Sequence, residues 1–237
     1  MSYRNEIPCS NCGSLNFDYE YKCKNCKSFL RERIVNIDLG ETLLRLIDSP
    51  LEAFYKIKLS EHKNYVLFIA LFLSIRFLII SRFISVPFVY NEIQFSLLLL
   101  LGISILLTFS VLMLISFISS KIFALKKIKT RFKDVFSVII YSFVPSLLAL
   151  FILFPIELVF YGEYLFSNNP YPYQIKESVF YFLLILEIMT ILWSLFLLTS
   201  GLNVFLKSRF LSFILSISIW FIVAIALFIQ SNIFLIQ

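Results

Sequence analysis

Residues 97–120 read LLLLLGISILLTFSVLMLISFISS, without one charged side chain. About 20 apolar residues are what an α-helix needs to cross the hydrocarbon core of a bilayer. The run is continuous rather than alternating, which excludes a transmembrane β-strand, whose lipid and lumen faces alternate. Working outward, similar runs predict five spans at roughly 64–86, 93–120, 135–161, 178–200 and 210–236. Composition agrees: 59% of the 237 residues are apolar, above the roughly 45–50% of soluble domains. The expected fold class is an all-α polytopic membrane protein. Five transmembrane helices occupy 64–237, preceded by short amphipathic helices at 36–63 and a small head at 1–35. From Met1 to His62 there is no apolar core of a signal peptide, so the first span is expected to act as the insertion signal and stay in the product.

The head is written in its cysteines. PCSNCGSLNFDYEYKCKNCKSF, residues 8–29, holds all the cysteines of the chain as two C-x-x-C pairs, Cys9/Cys12 and Cys23/Cys26. This C-x2-C-x10-C-x2-C spacing suits a structural four-cysteine site, each knuckle offering two thiolates to one tetrahedral Zn²⁺. Iron and disulfides are the alternatives, and disulfides need an oxidising compartment. Between the knuckles, turn residues from Gly13 give way to alternating Phe17, Tyr19 and Tyr21, which predicts a hairpin at 13–22 and a head resembling a zinc ribbon. A head this small depends on its metal to fold. Four protein ligands leave no open coordination position, so the ion is not expected to be catalytic. Six basic side chains at 1–35 face four acidic ones, and four thiolates around Zn²⁺ subtract two more charges. The near-zero sum lacks the basic footprint that nucleic-acid binding requires.

Lys and Arg give the topology. Residues 1–63 carry ten, the 121–134 loop six, and 201–209 two, whereas 87–92 carries none and 162–177 only Lys176. Basic and non-basic loops alternate, so the positive-inside rule places the N-terminus in the cytoplasm and the C-terminus outside, at the cell or inner membrane if the source is prokaryotic. A cytosolic head keeps its thiols reduced, which favours metal over disulfide. The net charge of +6 is then mostly a topological signal.

Between head and membrane, Leu39, Leu43, Leu46 and Ile47 recur at helical spacing, and Leu51, Phe54 and Ile57 resume it after a break. Ser49-Pro50-Leu51-Glu52 has the form of a capping box with proline at the first helical position. Two amphipathic helices meeting near Asp48-Ser49 are expected, lying on the inner leaflet or packed under the bundle. The segment Leu43-Leu44-Arg45-Leu46-Ile47-Asp48-Ser49-Pro50-Leu51-Glu52-Ala53-Phe54, followed by about five spans, resembles the Yip (Ypt-interacting protein) domain family. Tyr141-Ser142-Phe143-Val144-Pro145 is similar to that family's aromatic and proline element in the third span. The resemblance covers about residues 39–237, and several prokaryotic-looking members carry an N-terminal zinc ribbon. It implies a five-helix membrane domain. In eukaryotic members it implies a link to Rab-type GTPases and vesicle traffic. This chain lacks the long acidic or polar N-terminal region of the trafficking members, so the Rab link is not carried over.

Charges within the spans point to function, because each is costly there. Arg82 and Glu157 lie about four residues from the outer ends of their spans, Arg76 and Glu187 about ten, or roughly 15 Å at helical rise. Matched depth predicts two pairs, Arg76–Glu187 and Arg82–Glu157, tying the first span to the fourth and third. They either fix helix order or line a polar cavity for an ion, a lipid headgroup or a proton. Pro145 and Pro155 are expected to kink the third span, and Gly201 and Asn203 to mark the turn before the last. The sole histidine, His62, lies at the membrane edge, and the sequence carries no P-loop, H-E-x-x-H, G-x-S-x-G or G-x-G-x-x-G. The expectation is a non-enzymatic membrane protein that anchors or organises membrane or cytosolic protein partners through its zinc head, with a membrane-shaping or trafficking-like role, in contact with the lipid bilayer and without a nucleic-acid partner. The alternative is a small transporter or channel, or a subunit of one, using Arg76 and Glu187.

Overall fold

A computed structural model describes residues 3–86, 96–167 and 169–232, apart from the side chain of Leu97. Among them, five helices are long and apolar enough to cross a membrane. The 87–92 loop and the last residues of the fifth span, 233–236, lie outside the described residues.

The head opens with strand β1 (Glu6–Pro8), antiparallel to β2 (Leu15–Phe17) with Ile7 opposite Asn16. The hairpin expected at 13–22 is therefore displaced. Its turn is the first knuckle itself, Cys9 to Ser14, closed by Cys9 N donating to Ser14 O at 2.9 Å. The second knuckle repeats the construction inside the Lys22–Phe29 bridge, with Cys23 N donating to Ser28 O at 2.9 Å. Gly13 and Lys27 occupy equivalent left-handed positions, at φ 69° and 62°. Glycine takes this conformation freely and lysine does so under strain.

Helix α1 (Leu39–Asp48) starts at Asp38, whose carboxylate accepts from Glu41 N at 2.8 Å, and it stops before Pro50. Helix α2 (Pro50–Leu59) follows with proline in its first turn. The capping box expected at Ser49 and Glu52 does not form. Ser49 makes no side-chain cap bond, and Glu52 instead accepts from Arg45 at 3.3 Å. The apolar faces of both helices turn under the bundle: Leu46, Ala53, Phe54 and Ile57 share one core with the membrane helices.

The spans are α3 (Val66–Ser85), α4 (Leu97–Leu125), α5 (Phe132–Ser142) with α6 (Val144–Tyr161), α8 (Glu177–Leu206) and α9 (Arg209–Ser231). A 3₁₀ turn (Gly162–Phe166) and the short α7 (Pro172–Ile175) bridge α6 to α8. The third span is the axis of the bundle: 83% of its most apolar stretch is buried, against 22–39% for the other four. It is two helices joined at Phe143, with Pro145 opening the second and only Pro155 inside it. Phe143 fills the break, its ring 5.3 Å from Trp220 and 6.0 Å from Phe77.

Gly201 and Asn203 do not form the last turn. Helix α8 continues through both, and the turn falls at Lys207, φ 50°. Gly201 is a close-approach site instead. A Cβ there would lie 2.7 Å from Val138 Cγ1 and 3.3 Å from the Phe54 ring. Val138 is β-branched and held at χ1, so it cannot give way cheaply. Gly201→Ala is expected to destabilise the bundle by about 1–3 kcal/mol through overpacking. Gly102→Ala in α4, where nothing lies within 4 Å of the added carbon, is expected to be neutral or mildly stabilising. Thermal unfolding of the two variants in detergent checks the contrast.

Candidate functional site

The four cysteine sulfurs converge to within 4.8 Å of one another. Cys9 Sγ lies 3.6 Å from Cys26 Sγ, and Cys12 Sγ 3.6 Å from Cys23 Sγ. None is in a disulfide. Zn–S bonds of about 2.3 Å in a tetrahedron put sulfurs about 3.8 Å apart, so the cluster has the geometry to bind a metal ion. Hydrogen bonds favour the thiolate at the second knuckle, while Cys12 is shifted the other way, up from its ordinary value. Ser14 Oγ stands 3.0 Å from both Cys12 and Cys23 Sγ, and Ser28 Oγ 3.0 Å from Cys26 and 3.2 Å from Cys9. Each serine thus belongs to one knuckle and reaches a sulfur of the other. The Ser14 hydroxyl, with backbone amides, brings the Cys23 thiol down to about 5, and Ser28 brings Cys26 down to about 7.

The head is fastened to the bundle. Arg4 N donates to Lys127 O at 2.8 Å, and Asn5 exchanges two bonds with the Lys129 backbone, at 2.8 and 3.1 Å. Lys58 on α2 pairs with Asp18 of the head at 2.7 Å, both largely buried. Arg31 donates to Tyr19 O and Leu59 O, tying head to collar, and Arg131 lies 4.9 Å over the Tyr19 ring. A second charged node sits just inside. Asp134 is 1% exposed and takes Lys63 at 2.9 Å and Arg131 at 2.7 Å. Burial pushes the Lys63 amine down to about 8, with Asp134 opposing the shift. The sequence carries no signal for these tethers, because several run to backbone carbonyls and the rest join residues far apart in the chain.

Inside the membrane, Arg76 of α3, 2% exposed, is paired with Glu187 of α8. Arg82–Glu157 does not form. Arg82 donates to Ser85 Oγ at 3.2 Å, while Glu157 lines a cavity together with Arg76 and Glu187. The reason is azimuth: six residues separate Arg76 from Arg82, about 240° around a helix, so equal depth does not give a shared face.

Against known proteins, the family model described as the Yip1 domain matches residues 44–230. The chain belongs to the Yip1 domain family. No curated protein and no solved structure matches it. The match begins within α1, so the matched Yip1 domain takes in most of the collar as well as the membrane helices, and Arg76, Glu157 and Glu187 lie inside it. The four cysteines lie N-terminal to the match. This Yip1 domain protein is an integral membrane protein with a four-cysteine head docked on one end of its bundle.

Proposed function

We propose that this protein is a non-enzymatic membrane organiser, whose zinc-stapled head and collar present a basic groove to acidic segments of partner proteins on the cytosolic side. The observation that carries the reading is the groove. It has a volume of about 650 Å³ and lies between head and collar, lined by Lys22, Lys24, Lys27, Arg31, Arg131 and Lys133 against Glu20, Glu61 and Cys23, with Lys24 paired to Glu20 and Arg131 to Asp134. Charge complementarity of this kind steers association and fixes register. Because the head is fastened by the buried Lys58–Asp18 pair and by hydrogen bonds to the Leu59, Lys127 and Lys129 carbonyls, the groove is a preformed surface, which lowers the ordering cost of binding.

Zinc is the ion this reading assigns to Cys9, Cys12, Cys23 and Cys26, since a tetrahedral all-thiolate site with no open position is a structural zinc design. The cytosolic orientation rests on the charges. The head packs on the basic 126–131 loop, and Arg209 lies beside the α1–α2 junction, so the Lys/Arg-rich segments gather at one end of the bundle. The non-enzymatic assignment rests on the missing catalytic motifs.

The test is affinity capture of the full chain in mild detergent, comparing the wild type with Lys22→Glu/Lys24→Glu. Partners held by the groove are expected to fall at least about tenfold in the variant, with metal content and yield unchanged. The wild-type signal should weaken with salt. Equal capture by both chains would sink the groove as the docking surface.

A further inference from the structure

The charge cluster in the membrane opens into a cavity of about 370 Å³, a volume within the roughly 300–1,000 Å³ range of small-molecule pockets. Its back wall is α6, and α3 and α8 form its sides. Both pack on α6, and the Arg76–Glu187 pair crosses the gap between them. Leu165 and Pro172 of the α6–α8 connection roof it on the side away from the head. That roof is fastened by Tyr161, whose hydroxyl donates to Lys176 O at 3.2 Å. Leu184 and Ile191, each 42% exposed, stand at the mouth. In a bilayer that mouth faces acyl chains, so entry is lateral, from the lipid.

The wall is apolar, yet three buried polar atoms in it have no hydrogen-bond partner among the described residues: Glu157 Oε2, Glu187 Oε1 and Arg76 Nε. Glu157 is 7% exposed. Such atoms are normally satisfied, since an unmade hydrogen bond in a low-dielectric site is costly. The charges are also unequal, because two carboxyl groups and one guanidinium line the cavity and the guanidinium is paired with Glu187. The site is one cation short and has two acceptors to offer it. Its remaining donor, Arg76 Nε, suits an oxygen on the same ligand. A bare metal ion would leave the apolar wall unused. A neutral lipid tail would leave the acceptors unpaired.

We propose that this cavity binds an amphiphile bearing a protonated primary amine, its ammonium on Glu157 and Glu187 and its apolar body along α3 and α8. A primary ammonium brings three N–H donors. A quaternary ammonium has the same charge and none, so the geometry selects between them. The amine can come from an amino-phospholipid headgroup or from a free long-chain amine.

The full chain, purified in mixed micelles holding equal phosphatidylethanolamine and phosphatidylcholine of matched chains, is analysed by native mass spectrometry. Dodecylamine and dodecyltrimethylammonium serve as competitors. The expected result is preferential retention of an amine ligand by about tenfold, lost in Glu157→Gln. Ile191→Trp narrows the mouth, leaves every charge in place and is expected to lower occupancy too, so a folding defect in one variant does not decide the matter. Phosphatidylethanolamine retained over phosphatidylcholine and displaced by dodecylamine identifies a headgroup source. Dodecylamine bound over its trimethyl analogue, with the two phospholipids equal, identifies a free amine. Equal binding of primary and quaternary amines, or no effect of Glu157→Gln in a folded chain, overturns the proposal and leaves a shared proton as the third partner of the carboxyls.

Discussion

Replacing Cys9 and Cys12 with serine is expected to abolish metal binding and, in the same step, to lower the stability of the membrane bundle. The first part follows from ligand count, since two thiolates do not hold a tetrahedral site. Elemental analysis should find about one zinc per wild-type chain and none in the variant. The second part follows from how the head is attached. Asp18 is the carboxylate partner of Lys58, which is 3% exposed and lies 5.2 Å over the Phe205 ring at the end of α8. When the head unfolds, Lys58 is left buried without its anion, and removing one partner of a buried pair costs about 3–5 kcal/mol. Lys58→Met separates this coupling from a general loss. In the intact chain it should be strongly destabilising, because Asp18 then loses its cation. In the Cys9→Ser/Cys12→Ser background it should cost little or restore stability, because the stranded charge is gone. The readout is a double-mutant cycle by thermal unfolding in detergent. Additive effects would mean that head and bundle fold independently.

Much of the architecture was legible because its physical causes are local. A continuous apolar run can satisfy its backbone in lipid only as a helix, so the five spans follow from hydropathy, with described ends that differ from the expected ones by a few residues in either direction. Helices α4 and α8 run on to Leu125 and Leu206, past the expected ends at 120 and 200, because the extra turns pack on α5 and α2 rather than on lipid. Pro50 announced the break between α1 and α2. The four cysteines stood out by spacing alone. Features that depend on direction or on backbone were not legible. Counting residues from a span end gives depth but not azimuth, which is why Arg82 and Glu157 were matched and do not meet. The docking of the head uses the carbonyls of Leu59, Lys127 and Lys129, which any residue would supply. Gly201 reads as a turn when only its identity is considered. Its role as the point where α8 meets Val138 and Phe54 needs the packed helices. The knuckles are a 14-residue repeat, Cys9-x-x-Cys12-Gly13-Ser14 and Cys23-x-x-Cys26-Lys27-Ser28. That repeat places each knuckle at a turn and each serine beside the sulfurs.

Arg76→Met is expected to be the most damaging single change in the membrane domain, and more damaging than Glu187→Met. A charge near the bilayer centre costs about 2.5–3.5 kcal/mol even on insertion scales, and leaving one buried without its partner adds to that. The asymmetry comes from the count of charges. Arg76 is ion-paired with Glu187 and is the one guanidinium lining the cavity that Glu157 also lines. Removing it leaves two carboxyls in the cavity with no cation among its lining residues, whereas removing Glu187 leaves Arg76 with Glu157 as the remaining carboxyl of the cavity. A pair that only fixed helix order would give equal losses. The double change Arg76→Met/Glu187→Met should therefore recover part of the loss, and adding Glu157→Gln should recover more, because each step takes one uncompensated carboxyl out of the site. The measurement is the folded, monodisperse fraction on size exclusion together with the thermal midpoint of each variant. The expected order runs from Arg76→Met, the lowest, through the double to the triple variant. Glu187→Met is expected above Arg76→Met. A double change as damaging as the two singles summed would show that the charges act independently, and a neutral Glu157→Gln in the Arg76→Met background would remove Glu157 from the cluster.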